Sequence, residues 1–260
     1  MNTRTELVAA LRGFAQLSAP LVVCDYDGTL APLVDDPDRA FPLRESITAL
    51  DALASLAGTY VAVVSGRSLR DLAALCRFAP EVMLVGSHGS EFETGFDRDL
   101  DGPRLELLQQ LAGELDRLAA ADHGFIVERK PASVAFHYRK APATLAEQAV
   151  DAVRSGPATR AGVKVKEGKK VIELAVIDAD KGAAVDRLRH QVGADAVLFV
   201  GDDVTDEDAF AVLHSTDIGI KVGDGVTRAH YRLDGTDETA QILEMLVELR
   251  RSWLEGLEIG

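Results

Sequence analysis

The amino-acid sequence predicts an α/β fold, in which a Rossmann-like, doubly wound and mostly parallel sheet carries an inserted α+β domain. Two observations indicate the sheet: apolar segments alternate with amphipathic helical segments, and three of the apolar segments end in polar or acidic residues. A third observation indicates the insert, because the alternation stops near residue 103 and resumes near residue 179. We therefore expect a core of residues 1–102 and 179–260 and an inserted domain of residues 103–178.

The first part of the chain contains three predicted strands and one predicted helix. Apolar runs indicate strands at residues 21–25, 60–65 and 82–85. Between the first two strands, Ile47, Leu50 and Leu53 recur at helical spacing and predict a helix over residues 46–57. The stretch at residues 97–103, which contains three aspartates and ends in Gly102-Pro103, is then a candidate hinge.

The insert combines two helices with four strands. Five leucines at positions 105, 108, 111, 115 and 118 predict its first helix. The remaining predicted elements are strands at 125–129, 134–139, 163–166 and 170–175 and a helix at 143–154. Residues 175–179 form a second candidate hinge, after which the core resumes.

The last part of the chain returns to alternating helices and strands. Val185, Leu188 and Val192 mark one helical face, and apolar runs predict strands at 196–200 and 217–222. Thr236 is a suitable cap for a long C-terminal helix.

Composition and charge exclude several classes of protein. The chain has 260 residues and a formal net charge of -14, so nucleic acid and anionic membrane surfaces are not expected partners. No apolar run approaches the ~20 residues of a membrane span, and the two cysteines form no disulfide or metal pattern. We expect a cytoplasmic protein without an obligate protein partner. Residues 101–178 contain 12 Lys and Arg against 11 Asp and Glu, so the insert is more basic than the core.

Two carboxylates follow the first apolar strand, at Asp25 and Asp27, and Gly28 comes directly after them. In an extended strand, residues i and i+2 point to the same side, so both carboxylates could face one ligand. Carboxylates are costly to bury unless they are paired or bind a cation, which favours a metal site here. For an isolated pattern of this kind, a turn that simply ends the strand is the simpler interpretation.

The pattern is not isolated, and four segments together resemble the motifs of the haloacid dehalogenase superfamily of phosphotransferases. The first is Asp25-Tyr26-Asp27-Gly28-Thr29-Leu30, and the second is an apolar strand that ends in Ser65-Gly66-Arg67. Asp180-Lys181-Gly182 opens a helix, and the last segment is Gly201-Asp202-Asp203-Val204-Thr205-Asp206-Glu207. Taken one at a time, each has an ordinary explanation as a helix cap or solvated residue, but their order and their strand-end positions are hard to obtain by chance.

The resemblance implies a role for each of these residues. Asp25 would attack phosphorus as the nucleophile, Asp27 would act as general acid and then base, and Lys181 would supply a fixed positive charge. Ser65 and Gly66 would bind the phosphate together with Lys181. Mg²⁺ would be bound by the Asp25 carboxylate, the Asp27 carbonyl and Asp202, with Asp203 and Asp206 holding ligands and waters in place. The insert would be a cap domain that closes over the core and selects the leaving group.

The insert carries a sharper resemblance, to the trehalose-6-phosphate phosphatases. Its residues are Glu128-x-Lys130, His137-Tyr138-Arg139 and Gly168-Lys169-Lys170-Val171-Ile172-Glu173, and the core adds Gly86-Ser87-His88-Gly89-Ser90-Glu91. The resemblance implies hydrolysis of trehalose 6-phosphate, the last step of trehalose biosynthesis, through an aspartyl phosphate. It places Arg67, Glu128, Lys130, Arg139 and Glu173 on the sugar hydroxyls or the substrate phosphate. The role of His88 stays open, since a lone histidine rarely proves catalytic.

Alternatives remain at this point. The same core would serve a phosphatase of sucrose phosphate or of a glycosyl phosphoglycerate, or a phosphomannomutase, although the cap pattern argues against the mutase. A noncatalytic module that binds metal and sugar phosphate belongs to another class, and a phosphoacceptor signalling domain to a third. Neither of the last two requires both a paired nucleophile and acid and a basic insert.

Overall fold

Contacts between residues divide the chain into two units in this computed structural model, which describes residues 4–34, 36–93, 95–96, 101–168, 170–177 and 180–258. The first unit comprises Met1–Glu93 and Asp180–Gly260, and the second comprises Thr94–Ala179. Of the two candidate hinges, residues 97–100 and 178–179 lie outside the described residues. Residues 101–103 begin a helix, where the Asp101 carboxylate accepts a hydrogen bond from the backbone N–H of Arg104.

The first part of the first unit contributes half of its sheet. Its elements are α1 (Arg4–Phe14), β1 (Pro20–Cys24), α2 (Arg44–Ser55), β2 (Tyr60–Val64), α3 (Leu69–Leu75), β3 (Val82–Val85) and β4 (Glu91–Phe92). Strands β1, β2 and β3 and helix α2 follow the predicted order, whereas α1, α3 and β4 were not predicted. Leu7, Leu11 and Phe14 form the buried face of α1.

The second unit has the predicted α+β composition. Its elements are β5 (Gly95–Phe96), α4 (Gly102–Ala119), β6 (Ile126–Arg129), β7 (Ser133–His137), α5 (Ala143–Ser155), β8 (Lys164–Gly168) and β9 (Val171–Ala175). Strands β6, β7, β9 and β8 form an antiparallel sheet in that order. Val134, Phe136, Ile172 and Leu174 lie on one face of this sheet and pack with the buried leucines of α4, so the other face is left for polar side chains.

The rest of the chain completes the first unit. Its elements are α6 (Lys181–Val192), β10 (Ala196–Gly201), α7 (Asp206–Ala211), β11 (Ile218–Val222), β12 (Tyr231–Leu233) and α8 (Thr236–Glu258). The six main strands pair in the order β12, β11, β10, β1, β2 and β3, and every pairing is parallel. The predicted doubly wound sheet is therefore confirmed. No helix in the described part of the chain is long and apolar enough to cross a bilayer.

Strand β1 lies in the middle of this sheet and is buried on both faces. Val22 and Cys24 pack into one apolar cluster, while Leu21 and Val23 pack into another on the opposite face. Strands buried on both faces are continuous apolar runs rather than alternating ones, which explains the uninterrupted run before Asp25. Both cysteines, Cys24 and Cys76, are buried and free.

A buried ion pair fixes α6 against the sheet. The guanidinium group of Arg189 donates two hydrogen bonds to the Asp217 carboxylate, at 3.1 and 2.5 Å. The same carboxylate accepts from the backbone N–H groups of Val197 and His214, at 2.8 and 2.6 Å. Burial alone would raise the pKa of Asp217, but these four donors outweigh it and hold the pKa below its usual value.

We expect Asp217→Asn to lower the free energy of unfolding by about 3 kcal/mol at pH 7, because it removes the charge of the carboxylate that is hydrogen-bonded to the buried guanidinium of Arg189. The pKa of Asp217 is lower in the folded state than in the unfolded state. Its contribution to the free energy of unfolding is therefore complete above about pH 4 and is lost as the pH falls through the folded pKa. Urea unfolding at pH 7 and at low pH measures both effects. Arg4→Gln, in an exposed pair with Glu238, is the matched control and should change stability by less than about 1 kcal/mol. Equal losses in the two variants would contradict the role given to Asp217.

Candidate active site

The carboxyl ends of β1, β2 and β10 meet at one edge of the parallel sheet. Asp25 follows β1, and its N–H bonds to the Val200 carbonyl of β10 at 2.8 Å. Ser65 follows β2, and Asp202 follows β10. In parallel sheets this edge is where ligands bind, so the strand ends collect the predicted polar residues.

Lys181 lies at the centre of this edge. It is the first residue of α6, and its ammonium group donates to Asp25 Oδ1 at 2.5 Å and to Asp206 Oδ1 at 2.6 Å. All three side chains are buried, with exposed fractions of 6% or less. Asp180 caps the helix by accepting from the N–H of Gly182 at 2.7 Å, which fixes the direction in which α6 begins. The ammonium group therefore offsets two carboxylates that would otherwise repel each other.

Burial and charge shift the pKa values of this cluster in opposite directions. Burial is the largest cause of the raised pKa of Asp25; Asp206 and Asp202 add to the rise, and Lys181 opposes it. Burial works to lower the pKa of Lys181, but Asp206 and Asp25 outweigh it and the net pKa is raised. Burial, followed by Asp206 and Asp203, raises the pKa of Asp202 to about 6. The edge thus holds more negative charge than Lys181 neutralises, as expected where a cation binds.

The arrangement of carboxylates suits a hard divalent cation. Oxygen atoms of Asp25, Asp202 and Asp206 all lie within 4.8 Å of one another. Asp202 Oδ1 is buried and has no hydrogen-bond partner among the described residues, whereas Asp206 accepts from Lys181 and from the N–H of Asp203 at 2.8 Å. An all-oxygen donor set of this kind fits Mg²⁺.

Gly28 makes room for this arrangement. It adopts a φ of +82°, and a Cβ atom built on it would lie 2.1 Å from Asp202 Oδ2. No side chain could replace that hydrogen without displacing the carboxylate. The glycine of the first motif therefore permits close approach of Asp202, a reason that the sequence alone did not provide.

A buried lysine, which the sequence analysis did not predict, contacts the backbone of Asp202. Lys221, in β11, is 4% exposed, and its ammonium group donates to the backbone carbonyl of Asp202. A charged residue inside the apolar run Ile218-Gly219-Ile220-Lys221-Val222 was a signal available in the sequence, because lysine is almost never fully buried without a partner.

The loop after β2 is held by a tight turn. Ser87 and His88 have positive φ values of 51° and 55°, which are uncommon for residues other than glycine. Their N–H groups donate to the carbonyls of Arg67 and Ser65, at 2.6 and 2.8 Å. The His88 ring lies against Gly66, where an added Cβ would come within 2.5 Å of it. The strained turn therefore fixes the backbone of the predicted phosphate-binding residues, and His88 packs on that loop.

The Asp27 carboxylate does not join the Asp25 cluster. It forms a bidentate ion pair with Arg67, whose Nε and Nη2 donate at 2.8 and 2.7 Å. Strand β1 ends at Cys24, so the rule that places residues i and i+2 on one side of a strand does not apply beyond that residue. The assignments of Asp27 as acid and base and of Arg67 as a substrate ligand stay predictions.

The predicted sugar-binding residues share the polar face of the sheet in the second unit. Glu128 is paired across the strands with Ala135, and Ala135 with Glu173. Lys130 donates to Glu173 Oε2 at 2.9 Å, and the Ser133 hydroxyl donates to Glu173 Oε1 at 2.5 Å. The structure therefore brings Lys130 and Glu173 together, and it adds Ser133, which sequence reasoning missed.

His137 adds to this face, and Arg139 lies just beyond the end of one of its strands. His137 Nε2 lies 2.8 Å from Glu128 Oε2, and Arg139, two residues beyond the end of β7, is exposed. The face therefore offers both hydrogen-bond acceptors and cationic donors, as recognition of hydroxyl groups requires. Lys169, part of the motif before Glu173, lies outside the described residues.

Comparison with known proteins gives consistent similarities. A family model described as trehalose-phosphatase matches residues 23–238. The trehalose-phosphate phosphatase of Mycobacterium tuberculosis is 36% identical over 249 residues, which cover 91% of this chain and 63% of the relative. That of Mycobacterium marinum is 37% identical over 238 residues, covering 85% and 60%. The chain therefore spans less than two thirds of the length of these relatives.

A solved structure shares the architecture over nearly its whole length. The C-terminal domain of a trehalose-6-phosphate phosphatase from C. albicans superposes with a TM-score of 0.76 at 25% identity. The superposition covers 95% of this chain and 98% of that domain. Because the alignment covers almost the whole of both chains, each of the two units has a counterpart in that domain.

We expect Asp202→Asn to weaken Mg²⁺ binding by more than about 10-fold, because it removes a charged oxygen donor from the acidic edge. Titration calorimetry with MgCl2 on the purified protein measures this effect. Asp224→Asn, an exposed carboxylate in the loop after β11, is the matched control and should bind Mg²⁺ as the unmodified protein does. Unchanged affinity in Asp202→Asn would show that the cation binds elsewhere.

Proposed function

The chain belongs to the trehalose-phosphatase family, and from this premise we propose that it is a Mg²⁺-dependent phosphatase of trehalose 6-phosphate. It would release trehalose and inorganic phosphate through an aspartyl-phosphate intermediate. The observation that carries the proposal is the buried Asp25 carboxylate at the end of β1, in contact with the Lys181 ammonium group. A carboxylate held in this way is oriented for attack, and Lys181 can offset charge that develops beside it.

In the first step, an oxygen of Asp25 attacks phosphorus. A P–O bond to aspartate forms, the P–O bond to the sugar breaks, and its electron pair goes to the sugar oxygen. Asp27 gives this oxygen a proton, which makes it a better leaving group. Ser65 and the backbone at Gly66 would bind the phosphoryl oxygens, and the hydrogen bonds from the 87–88 turn keep that loop in place.

In the second step, water attacks the phosphorus of the aspartyl phosphate. Asp27 takes the proton from the water, the P–O bond to Asp25 breaks, and the free carboxylate is restored. Lys181 contacts Asp25 before and after this cycle, so its charge stabilises the carboxylate as it is regenerated. The same acid and base group thus serves both steps, and no further proton carrier is needed.

The residues present fit a magnesium ion. Asp25 and Asp202 would bind it together with the Asp27 carbonyl, and Asp203 and Asp206 would position these groups. The buried Oδ1 atom of Asp202, which lacks a partner among the described residues, supports this set. When bound, the ion would neutralise part of the negative charge of the phosphoryl group.

The polar face of the second unit would recognise the sugar. Glu173 has both carboxylate oxygens bonded, one by Lys130 and one by Ser133, so its orientation is set before any substrate arrives. The hydroxyl groups of a disaccharide can donate to carboxylates and accept from cationic groups. The predicted sugar-binding residues supply both kinds of partner: Glu128, Lys130, Arg139 and Glu173. Because these partners are already ordered, the entropic cost of binding a sugar on this face is lower.

We expect strong release of phosphate from trehalose 6-phosphate, abolished by EDTA, when the purified protein is incubated with a panel of substrates. The panel includes sucrose 6-phosphate, glucose 6-phosphate and glucosyl-3-phosphoglycerate, and a colorimetric phosphate assay measures release from each. A preference for another substrate of the panel would support the phosphatase reaction but contradict the assignment of trehalose 6-phosphate as the substrate. No release from any substrate would instead favour a noncatalytic binding module.

We expect Asp25→Asn to lower kcat by at least about 10,000-fold, because an amide cannot act as the nucleophile. Circular dichroism should show an intact fold, since Asp206 still contacts Lys181 in this variant. Incubation with radiolabelled phosphate ester followed by acid quench should label the unmodified protein and leave Asp25→Asn unlabelled. An active Asp25→Asn protein would contradict the nucleophile assignment.

We expect Glu173→Gln to lower kcat/KM for trehalose 6-phosphate by about 10- to 100-fold, because it weakens charge-assisted hydrogen bonds at the sugar-binding face. The kcat/KM for p-nitrophenyl phosphate should change little, since that substrate has no sugar. Glu167→Gln, on the opposite face of the same sheet, is the matched control and should leave both substrates unaffected. An equal loss on both substrates would indicate a role in stability rather than in recognition.

A further inference from the structure

The pairing of Asp27 with Arg67 is an unusual state for a group that must transfer protons. Both oxygens of the Asp27 carboxylate accept from the guanidinium group, Oδ2 from Nε at 2.8 Å and Oδ1 from Nη2 at 2.7 Å. Arg67 is largely enclosed, with 13% of its side chain exposed, while Asp27 is 35% exposed. Parallel, bidentate pairs are strong contacts, and they fix the orientation of the carboxylate.

Arg67 is itself held from several sides. Its guanidinium carbon lies 5.4 Å from the centre of the Tyr26 ring. Tyr26 is fully buried, and its hydroxyl is fixed by a hydrogen bond to the Ala40 carbonyl at 2.7 Å. The Arg67 N–H donates to Ser65 Oγ at 3.1 Å, and its carbonyl accepts from Ser87. These contacts hold the Arg67 guanidinium group in one position, unlike a mobile cation on the surface.

A carboxyl group with both oxygens bound by a guanidinium group is poorly placed to act as acid or base. To give a proton to the sugar oxygen, or to take one from water, at least one oxygen of Asp27 must point away from Arg67. We propose that Arg67 is a positioning residue for Asp27, which orients the carboxyl group in both half-reactions by keeping one hydrogen bond while the other opens. This inference rests on the proposed function.

The alternative role, predicted from the sequence, is direct binding of the substrate by Arg67. The two roles differ in which step they affect. If Arg67 acts through Asp27, its loss impairs only the steps in which Asp27 moves a proton. With p-nitrophenyl phosphate, the departing nitrophenolate is stable without protonation, so formation of the aspartyl phosphate needs no acid. Direct binding of the phosphoryl group would instead be required in that first step.

The experiment is stopped-flow measurement of nitrophenolate release from p-nitrophenyl phosphate by Arg67→Met, Arg67→Lys and the unmodified protein, all with Mg²⁺. We expect Arg67→Met to keep the rate and amplitude of the initial burst while its steady-state rate falls by about 100-fold. Arg67→Lys, which can keep one hydrogen bond, should recover part of the steady-state rate. The matched control is Arg70→Met, an exposed arginine on α3, which should behave as the unmodified protein does.

A double-mutant cycle gives a second, independent readout. In an Asp27→Asn background, adding Arg67→Met should cause no further loss of the steady-state rate, since the group through which Arg67 acts is already disabled. A further loss of 10-fold or more, or a burst that slows together with turnover in Arg67→Met, would overturn the positioning role. So would a steady-state rate unchanged by Arg67→Met.

Failure of the proposed function has a different signature. If the unmodified protein shows neither a nitrophenolate burst nor phosphate release from any sugar phosphate, the phosphatase proposal and this inference fall together. If the unmodified protein is active and only the Arg67 variants behave otherwise than expected, the phosphatase proposal stands and the positioning role alone is overturned.

Discussion

The buried ammonium group of Lys181 is the interaction on which the acidic edge of the sheet depends. Without it, Asp25 and Asp206 would be buried without a counter-charge, which is a costly arrangement for carboxylates. The lysine reaches this point because it is the first residue of α6 and because Asp180 caps that helix. Asp202 carries the remaining negative charge, and its Oδ1 atom has no hydrogen-bond partner among the described residues. A bound cation would provide that partner.

The sequence predicted the sheet well because its central strands are buried on both faces and therefore appear as apolar runs. It did not predict β12, which spans only Tyr231–Leu233, or α3, which spans two turns, because such short elements carry too little periodicity. The gathering of Asp25 and Asp202 at one edge was predictable, since parallel strands end together. That Asp27 pairs with Arg67 was not, because pairing beyond the strand end depends on the path of the loops.

On the polar face of the second unit, too, some features could be predicted from the sequence and others could not. Alternation along β7 predicted which side chains leave the apolar core, and the buried Val134 and Phe136 agree with it. The hydrogen bond from Ser133 to Glu173 joins residues 40 positions apart, and it follows from the pairing of β7 with β9 rather than from any local pattern. Sequence patterns thus identified the face, whereas strand register determined which residues meet on it.

The order of strands also has a consequence for biosynthesis. The central strand β1 pairs on one side with β2, close in sequence, but on the other side Pro20 pairs with Ala196. During synthesis the whole second unit emerges from the ribosome before β10 becomes available. One edge of β1 therefore stays open while the second unit is free to fold, and Asp25 at its end acquires Lys181 and Asp202 only after the second unit has been synthesised. The acidic edge of the sheet is thereby assembled only after both of its halves have been synthesised.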